Sequence, residues 1–146
     1  MPNINFNIHH IEIEQFAAIE EPHKEKVSFN ITVNPGCNIN LKSIAISVES
    51  RFMEEDTPFL LLKTTSFFQL DPQSWEGLKD IETGKVIIPE PFIITLLQIS
   101  ISQTRGILCA KTEATPFSKF VLPIVNVGDF GQKGDLVILP DGSIAE

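Results

Sequence analysis

The sequence contains few of the residues that perform chemistry. Its 146 residues include no Tyr, one Trp, two Cys and three His. Cys37 and Cys109 are too far apart along the chain to form a zinc-binding pair, and there is no second pair. The chain also lacks a glycine-rich phosphate loop, a nucleophile elbow and a zinc motif. The sequence therefore predicts a protein that is not an enzyme and that needs no cofactor or metal.

The remaining candidates for catalysis have simpler interpretations. His9 and His10 are adjacent, so they face opposite sides of a regular strand and form one metal-binding face only if a bulge intervenes; we interpret them as ordinary surface or half-buried histidines. Glu12 and Glu14 share a strand face, which we interpret as a solvated surface and not as a catalytic pair. No His lies close to Cys109 in the sequence, so nothing indicates the base that a nucleophilic thiol needs. We interpret both thiols as reduced, which predicts a cytoplasmic protein.

Positive charge and unbroken apolar segments are both scarce. Lys and Arg total 11 against 19 Asp and Glu, which gives a net charge of −8. The lysines are scattered singly, whereas nucleic-acid binding needs a basic stripe, so we predict no nucleic-acid partner. The segment Val86–Thr104 contains one charged residue, but Thr, Gln and Ser interrupt it. The first residues also lack the regions of a signal peptide, so we predict no membrane insertion.

Aliphatic residues and phenylalanine are abundant. Apolar residues make up 42% of the sequence, and eleven residues are Phe. Length and composition fit one globular domain, which we expect to span residues 1–127, followed by a glycine-rich tail with a short strand at 128–146. Phe adds contact area without a polar group. These side chains therefore either fill a core or line an apolar groove for a partner, and composition does not separate the two.

Alternating apolar residues predict four β-strands. We place them at Ile4–Phe16, Val27–Val33, Ile39–Phe52 and Phe59–Leu70. The alternation changes phase at His9-His10 and again at Lys42-Ser43, which predicts a β-bulge at each place. Asn34–Gly36 carries a turn signal. The fourth strand is apolar on both faces at its start and again at Phe67-Phe68, which predicts that a helix covers one face and another layer, such as a second subunit, covers the other.

Two helices are predicted after the strands. Asp71 and Pro72 suit the N-cap and the first residue of a short helix. The apolar residues after Pro91 step by four, as in a helix, but some of them also alternate, as in a strand. We predict a helix near Phe92–Thr104 because the segment is long and Gly106 is a stop signal. Strands followed by helices indicate an α+β fold, a four-stranded antiparallel sheet with a short and a long helix on one face.

The second half of the chain resembles the SecB family of protein-export chaperones. The strand "FLLLKTTSFFQL", the helix in "IPEPFIITLLQISISQTRG" and the segment "FVLPIVNV" follow in the family's order. Pro91 matches the proline near the start of the family's main helix, Arg105-Gly106 matches the pair at its end, and Val121–Asn126 matches the apolar phrase that follows. The first half fits by topology only. Two features depart from the family: the extra residues Ile107–Phe120, and a glycine-rich tail in place of the C-terminal helix that helps to engage the translocation ATPase.

The resemblance implies an ATP-independent chaperone that holds unfolded or non-native polypeptides in an apolar groove. Its role would be export, with a translocation ATPase as partner, or the stabilisation of an antitoxin. The family also implies a homo-oligomer, a dimer of dimers with the long helices between the dimers. The predicted interface residues are Leu97, Ile99 and Ile101. The predicted polypeptide-binding residues, each also a candidate for the core, are Phe52, Phe67, Phe68, Trp75, Leu78 and Phe92. The alternative function is a small-ligand or single-partner binding module with a Phe-lined pocket.

Overall fold

The fold is α+β, as predicted, and its centre is one antiparallel sheet. The structure is a computed structural model that describes residues 3–19, 27–129 and 134–145. Four strands form the sheet: β1 (Phe6–Ala18), β2 (Val27–Asn38), β3 (Ser43–Glu54) and β4 (Thr57–Leu70). Their order across the sheet is β1-β4-β3-β2, so β1 and β2 are the edges.

Two helices and a small second sheet follow the four strands. Helix α1 (Pro72–Gly77) is short and begins after Asp71, as predicted, although the Asp71 side chain makes no capping hydrogen bond. Helix α2 (Glu90–Thr112) is the main helix. Between them lies strand β5 (Val86–Ile88), which pairs antiparallel with β6 (Leu136–Ile138). The tail thus contributes a strand whose residues Leu136 and Ile138 are fully buried.

One face of the main sheet carries the core. Residues that pair directly across strands project to the same side, and on β4 this side includes Thr64 and Ser66. The Thr64 hydroxyl lies 2.9 Å from the hydroxyl of Thr104 of α2, and the Ser66 hydroxyl donates to Gln103 Oε1 at 2.7 Å. Helix α2 therefore packs over β4 and β3, on what we call the helix face.

The opposite face of the sheet is mainly polar. Thr65 donates to Glu14 at 2.9 Å and lies 2.9 Å from the Ser47 hydroxyl. Lys63 Nζ lies 3.3 Å from a Glu14 carboxylate oxygen. The apolar residues that β4 sends to this face, Leu61 and Phe67, are half-buried and sit towards its two ends. The structure thus places apolar side chains of β4 on both faces at its start and at Phe67-Phe68, as predicted, while the centre of the strand is polar on this face.

The loops between strands differ partly from the sequence-based predictions. The predicted turn at Asn34–Gly36 is wrong, because β2 continues to Asn38 and the chain turns at residues 39–42. Pro35 is tolerated because β2 is an edge strand. The phase change at Lys42-Ser43 marks the end of this turn and not a bulge, since Lys42 has a φ of 53° and β3 begins at Ser43.

The bulge predicted at His9-His10 is confirmed. The pairing between β1 and β4 shifts register between Ile8 and His10, and shifts again between Ile13 and Gln15. These shifts matter for function because each extra residue resets which side chains face the core.

The main helix is confirmed, but the predicted stop at Gly106 is wrong. Helix α2 continues for six residues past Gly106 and ends at Thr112. Leu108 and Thr112 are buried, so packing against the sheet outweighs the local stop signal. By length and composition alone α2 would be long enough to cross a membrane, a test that the core helix of a soluble protein also passes.

Candidate polypeptide-binding surface

A cluster of phenylalanine rings lies where β2 begins, β3 ends and β4 begins. We define the phenylalanine cluster as Phe29, Phe52, Phe59, Phe117 and Phe120. The ring centroids are 6.3 Å apart for Phe29 and Phe52, 5.7 Å for Phe52 and Phe120, and 5.0 Å for Phe59 and Phe120. The cluster is partly open to solvent, because Phe29 is 41% exposed and the rings of Phe117 and Phe120 are half-buried.

The residues after α2 supply two of these rings. A 3₁₀ turn, Pro116–Lys119, follows the helix, and the Thr115 side chain accepts a hydrogen bond from the Phe117 backbone N–H at 3.2 Å. This capped turn places the Phe117 ring 6.4 Å from Phe59. Part of the stretch that departs from the SecB pattern therefore lengthens α2, and the rest builds the cluster.

Arg105 of α2 holds the next segment in place. Its Nε donates to the Leu122 carbonyl at 2.6 Å, and its Nη2 donates to the Pro123 carbonyl at 2.9 Å. Leu122 is buried, whereas Val121 is 51% exposed and Ile124 is 93% exposed. Residues 121–126 form neither helix nor strand. The side chain of Arg105 thus fixes an irregular segment that presents large apolar side chains to solvent, directly after Phe120.

A second exposed apolar surface lies along strand β1. Ile8, Ile11 and Ile13, which we call the β1 ledge, pair with Phe68, Ser66 and Thr64 and so lie on the helix face. The bulge after Ile8 is what keeps all three on one side. They are nonetheless about two-fifths exposed (38%, 39% and 43%), because α2 packs mainly over β3 and β4 and contacts β1 near its two ends, at Phe6 and Phe16.

The outer edge of β1 is also unpaired. Within the part of the chain that the structure describes, β1 pairs with β4 alone. An open strand edge offers backbone N–H and C=O groups to another strand, and it promotes association unless it is protected. The β1 ledge and the β1 edge together form a surface suited to a second strand with apolar side chains.

The structure places most of the predicted polypeptide-binding residues in the core. Phe52, Phe68, Trp75, Leu78 and Phe92 are buried. They are not brought together, since Phe52 belongs to the phenylalanine cluster whereas Phe68 and Phe92 both pack against Phe6, with centroids 6.1 and 5.0 Å away. Burial favours the core interpretation of these five residues. Their contact with a client stays a prediction that would require them to become exposed.

Phe67 and the predicted interface residues lie elsewhere. Phe67 is half-buried on the polar face of the sheet, where the His10 ring stacks on it at 5.6 Å. Leu97 and Ile101 are buried inside the protomer, and Ile99 is half-buried. Their role between subunits stays a prediction. A charge at Ile101 would disturb the core of the protomer as well as any interface.

The exposed apolar residues were missed by sequence reasoning. Ile8, Ile11, Ile13 and Phe29 alternate with polar residues as core residues of a strand do. What exposes them is their position on the two edge strands, and sequence alone did not give the strand order. The sequence signal that could have revealed the β1 ledge is the phase change at His9-His10, because it predicted the bulge that brings the residues of the ledge to one side of the strand.

Titratable groups add little chemistry to these surfaces. Burial raises the pKa of the Cys37 thiol to about 11, so it is protonated and unreactive at neutral pH. Hydrogen bonds from Ser143 lower the pKa of the exposed Asp141 carboxyl. Among the described residues, no group of three or more His, Cys, Asp or Glu side chains is placed to hold a metal ion.

The fold resembles that of a known chaperone. A similar solved structure is the SecB-like chaperone Rv1957 of Mycobacterium tuberculosis, in complex with a ChAD peptide from the Rv1956 HigA1 antitoxin. The TM-score is 0.53 and the sequence identity is 13%, over 83% of this chain and 90% of that chain. The chain has a SecB-like fold. No protein-family model and no curated protein matches the sequence, so the similarity rests on structure.

Proposed function

We propose that this SecB-like chain is an ATP-independent chaperone that binds non-native polypeptides. Its binding site is the client surface, which we define as Phe29, Phe117, Phe120, Val121 and Ile124. The observation that carries the proposal is the exposure of Val121 and Ile124, in the segment that follows Phe120 of the phenylalanine cluster and that the Arg105 hydrogen bonds hold in place. An apolar patch that a protein keeps exposed marks an interaction site.

The composition of the client surface suits a broad range of polypeptides. Phe, Val and Ile offer contact area without requiring polar partners in fixed geometry. Non-native chains expose apolar side chains, which can exchange on such a surface. The net charge of −8 would in addition draw basic segments towards the protein. The alternative of a small-ligand pocket lined by Phe has less support, because Phe52, Phe59 and Phe120 fill their space with ring contacts.

For the cellular role of this general client surface we favour the stabilisation of an unstable partner, such as an antitoxin, over export. The similar structure of Rv1957 contains an antitoxin peptide, which supports a polypeptide as ligand. In this chain residues 136–138 form β6, paired with β5, in the region where the family carries the helix that engages the translocation ATPase. That difference weakens the case for export. We place this activity in the cytoplasm, where both cysteines stay free.

We further propose that the protein is a homo-oligomer assembled through β1. Two copies that pair their β1 edges would satisfy the open backbone groups and bury both β1 ledges. This contact leaves the client surface, which lies at β2 and after α2, uncovered. A dimer of dimers remains the expected assembly.

Suppression of aggregation tests the proposed function. The chaperone is mixed at several-fold molar excess with reduced insulin or another aggregating client, and light scattering is followed. We expect the wild-type chain to delay aggregation and Ile124→Ser to delay it several-fold less. The matched control is Ile81→Ser, because Ile81 is as exposed as Ile124 but lies in a turn far along the chain from the client surface.

Neither substitution should lower the melting temperature, since both side chains are almost fully exposed. The proposal fails if the wild-type chain does not delay aggregation of several unrelated clients. It fails equally if Ile81→Ser and Ile124→Ser reduce the delay to the same extent.

A further inference from the structure

A cavity of about 450 Å³ lies beside the client surface, between α2 and the segment after it. Its size falls in the range of small-ligand pockets, roughly 300–1,000 Å³. The residues that line it are Gln98, Ile101, Ser102, Arg105, Ile124, Val125, Asn126 and Val127. Ile124 belongs both to this cavity and to the client surface, so a chain bound on that surface can end in the cavity.

Among the described residues, no carboxylate compensates the positive charge that Arg105 gives the cavity. Its Nε and Nη2 bind the two backbone carbonyls, while Nη1 has no acceptor among the described residues. No described carboxylate pairs with this half-buried guanidinium, and the described residues that line the cavity include no acidic one. A guanidinium that is partly removed from water favours an anion at such a position, because its remaining N–H groups can donate charge-assisted hydrogen bonds to a carboxylate.

The other lining residues fit the rest of an amino-acid residue. The Gln98 amide and the Ser102 hydroxyl are exposed and make no hydrogen bond within the described structure, so both are available to a peptide group. Ile101, Val125 and Val127 form an apolar wall on the same cavity. The cavity thus brings together a cation, free polar groups and an apolar wall, in a space that fits one or two amino-acid residues of a ligand.

We propose that this cavity binds the C-terminal residue of a polypeptide. The α-carboxylate pairs with Arg105, the last peptide group meets Gln98 and Ser102, and an apolar side chain packs on Ile101 and Val125. A C-terminal residue fits better than an internal acidic one, because it carries a carboxylate and an apolar side chain on the same carbon atom. This inference deepens the proposed function and rests on it for the choice of a polypeptide as ligand.

The test is an NMR titration of the ¹⁵N-labelled full chain with N-acetyl-valyl-leucine and with its C-terminal amide. We expect the free carboxylate to shift the Arg105 Nε–H signal and the backbone signals of residues 98–105 and 124–127. The amide should bind at least about tenfold more weakly, which is the effect of losing one charge-assisted contact.

Two variants localise the site without removing Arg105, whose contacts also hold the neighbouring segment. Ser102→Glu places a carboxylate one turn from Arg105, where the two pair within the helix, and should abolish binding of the free carboxylate. Ala110→Glu is the matched control, because Ala110 is exposed on the same helix but does not line the cavity. It should bind as the wild type does.

The inference is overturned if the wild type does not bind N-acetyl-valyl-leucine, or if it binds the acid and the amide equally well. It is also overturned if Ser102→Glu and Ala110→Glu weaken binding to the same extent. The last contradicting result is that N-acetyl-aspartyl-leucinamide, which carries only a side-chain carboxylate, binds as well as N-acetyl-valyl-leucine. The dipeptides do not aggregate, so this outcome is separate from the aggregation assay. If the protein delays aggregation but does not bind the dipeptide, only the proposal of a C-terminal site is refuted. If it binds the dipeptide but does not delay aggregation, only the proposal of general client binding is refuted.

Discussion

At the residue scale, two neighbouring rings of the phenylalanine cluster should behave differently when truncated. Phe52 is buried and Phe29 is two-fifths exposed, although their centroids are only 6.3 Å apart. We expect Phe52→Ala to lower the free energy of unfolding by roughly 3–5 kcal/mol, because it leaves a cavity. Phe29→Ala should cost far less and should weaken client binding. Urea denaturation of both variants measures the difference, and equal losses would contradict the division between core and client surface.

The two cysteines should differ in reactivity. Burial beside Ile44 on the helix face raises the pKa of Cys37 to about 11, whereas Cys109 is exposed on α2. At pH 8 only on the order of one Cys37 in a thousand is then a thiolate, the form that reacts. Cys37 alkylation by iodoacetamide should be slow at pH 8 and should speed up about tenfold per pH unit as pH rises towards 11. Mass spectrometry of timed samples measures both sites. Equal rates at pH 8 would show that Cys37 is not desolvated.

The sequence predicts only in part which apolar residues form the core. Trp75 and Phe29 are both apolar residues for which the sequence indicates no polar partner, yet in the structure Trp75 is buried and Phe29 is partly exposed. The difference arises from where each element lies in the sheet, and residue type does not encode it. The Arg105 contact with Leu122 and Pro123 joins residues of two segments, so spacing along the chain did not reveal its geometry either.

At the element scale, a substitution in α2 tests whether Gly106 ends the helix or lies within it. Gly106 is exposed inside α2, has no positive φ, and an added Cβ would meet no atom within 4 Å. Gly106→Ala should therefore raise the free energy of unfolding by roughly 0.5–1 kcal/mol. The contrast is Gly142→Ala, since Gly142 has a φ of +93° and a side chain there is strained. A loss of stability in Gly106→Ala would mean that the helix stops where the sequence first indicated.

Local patterns predicted the long elements better than the short ones. The strands β1 to β4 and the helix α2 are long enough for their periodicity to show, and the bulge after Ile8 left a visible change of phase. Strand β5 has three residues and owes its existence to pairing with β6, which lies far along the chain. Periodicity carries no information about such a pairing. The turn at residues 39–42 was misplaced for a related reason, because Pro35 is allowed only where the strand is an edge.

At the scale of the whole molecule, the β1 ledge should control assembly. Ile11→Lys places a charge on the ledge, and lysine on an edge strand opposes pairing with another strand. We expect the wild-type chain to be an oligomer and Ile11→Lys to dissociate towards smaller species. Multi-angle light scattering after gel filtration measures this, with Ile81→Lys as the control of equal charge. A monomeric wild-type chain would refute assembly, and an unchanged mass for Ile11→Lys would show that β1 is not the contact.

The sheet as a whole has one apolar face and one mainly polar face, and this asymmetry organises the molecule. On the helix face α2 covers β3 and β4, whereas the β1 ledge and the client surface stay partly exposed. The SecB-like architecture could be predicted because the order of elements, more than any single residue, resembled the family. The client could not, because an apolar surface binds by area and not by a coded set of polar contacts.

The central claim is that the protein recognises the non-native state of a polypeptide. The most direct test compares one polypeptide in two states, by titrating the wild-type chain with fluorescently labelled α-lactalbumin that is either native or reduced and carboxymethylated. Fluorescence anisotropy should show saturable binding of the permanently unfolded form, several-fold weakened by Ile124→Ser and unchanged by Ile81→Ser, and no binding of the native form. Equal binding of both forms, or binding of neither, would contradict the account.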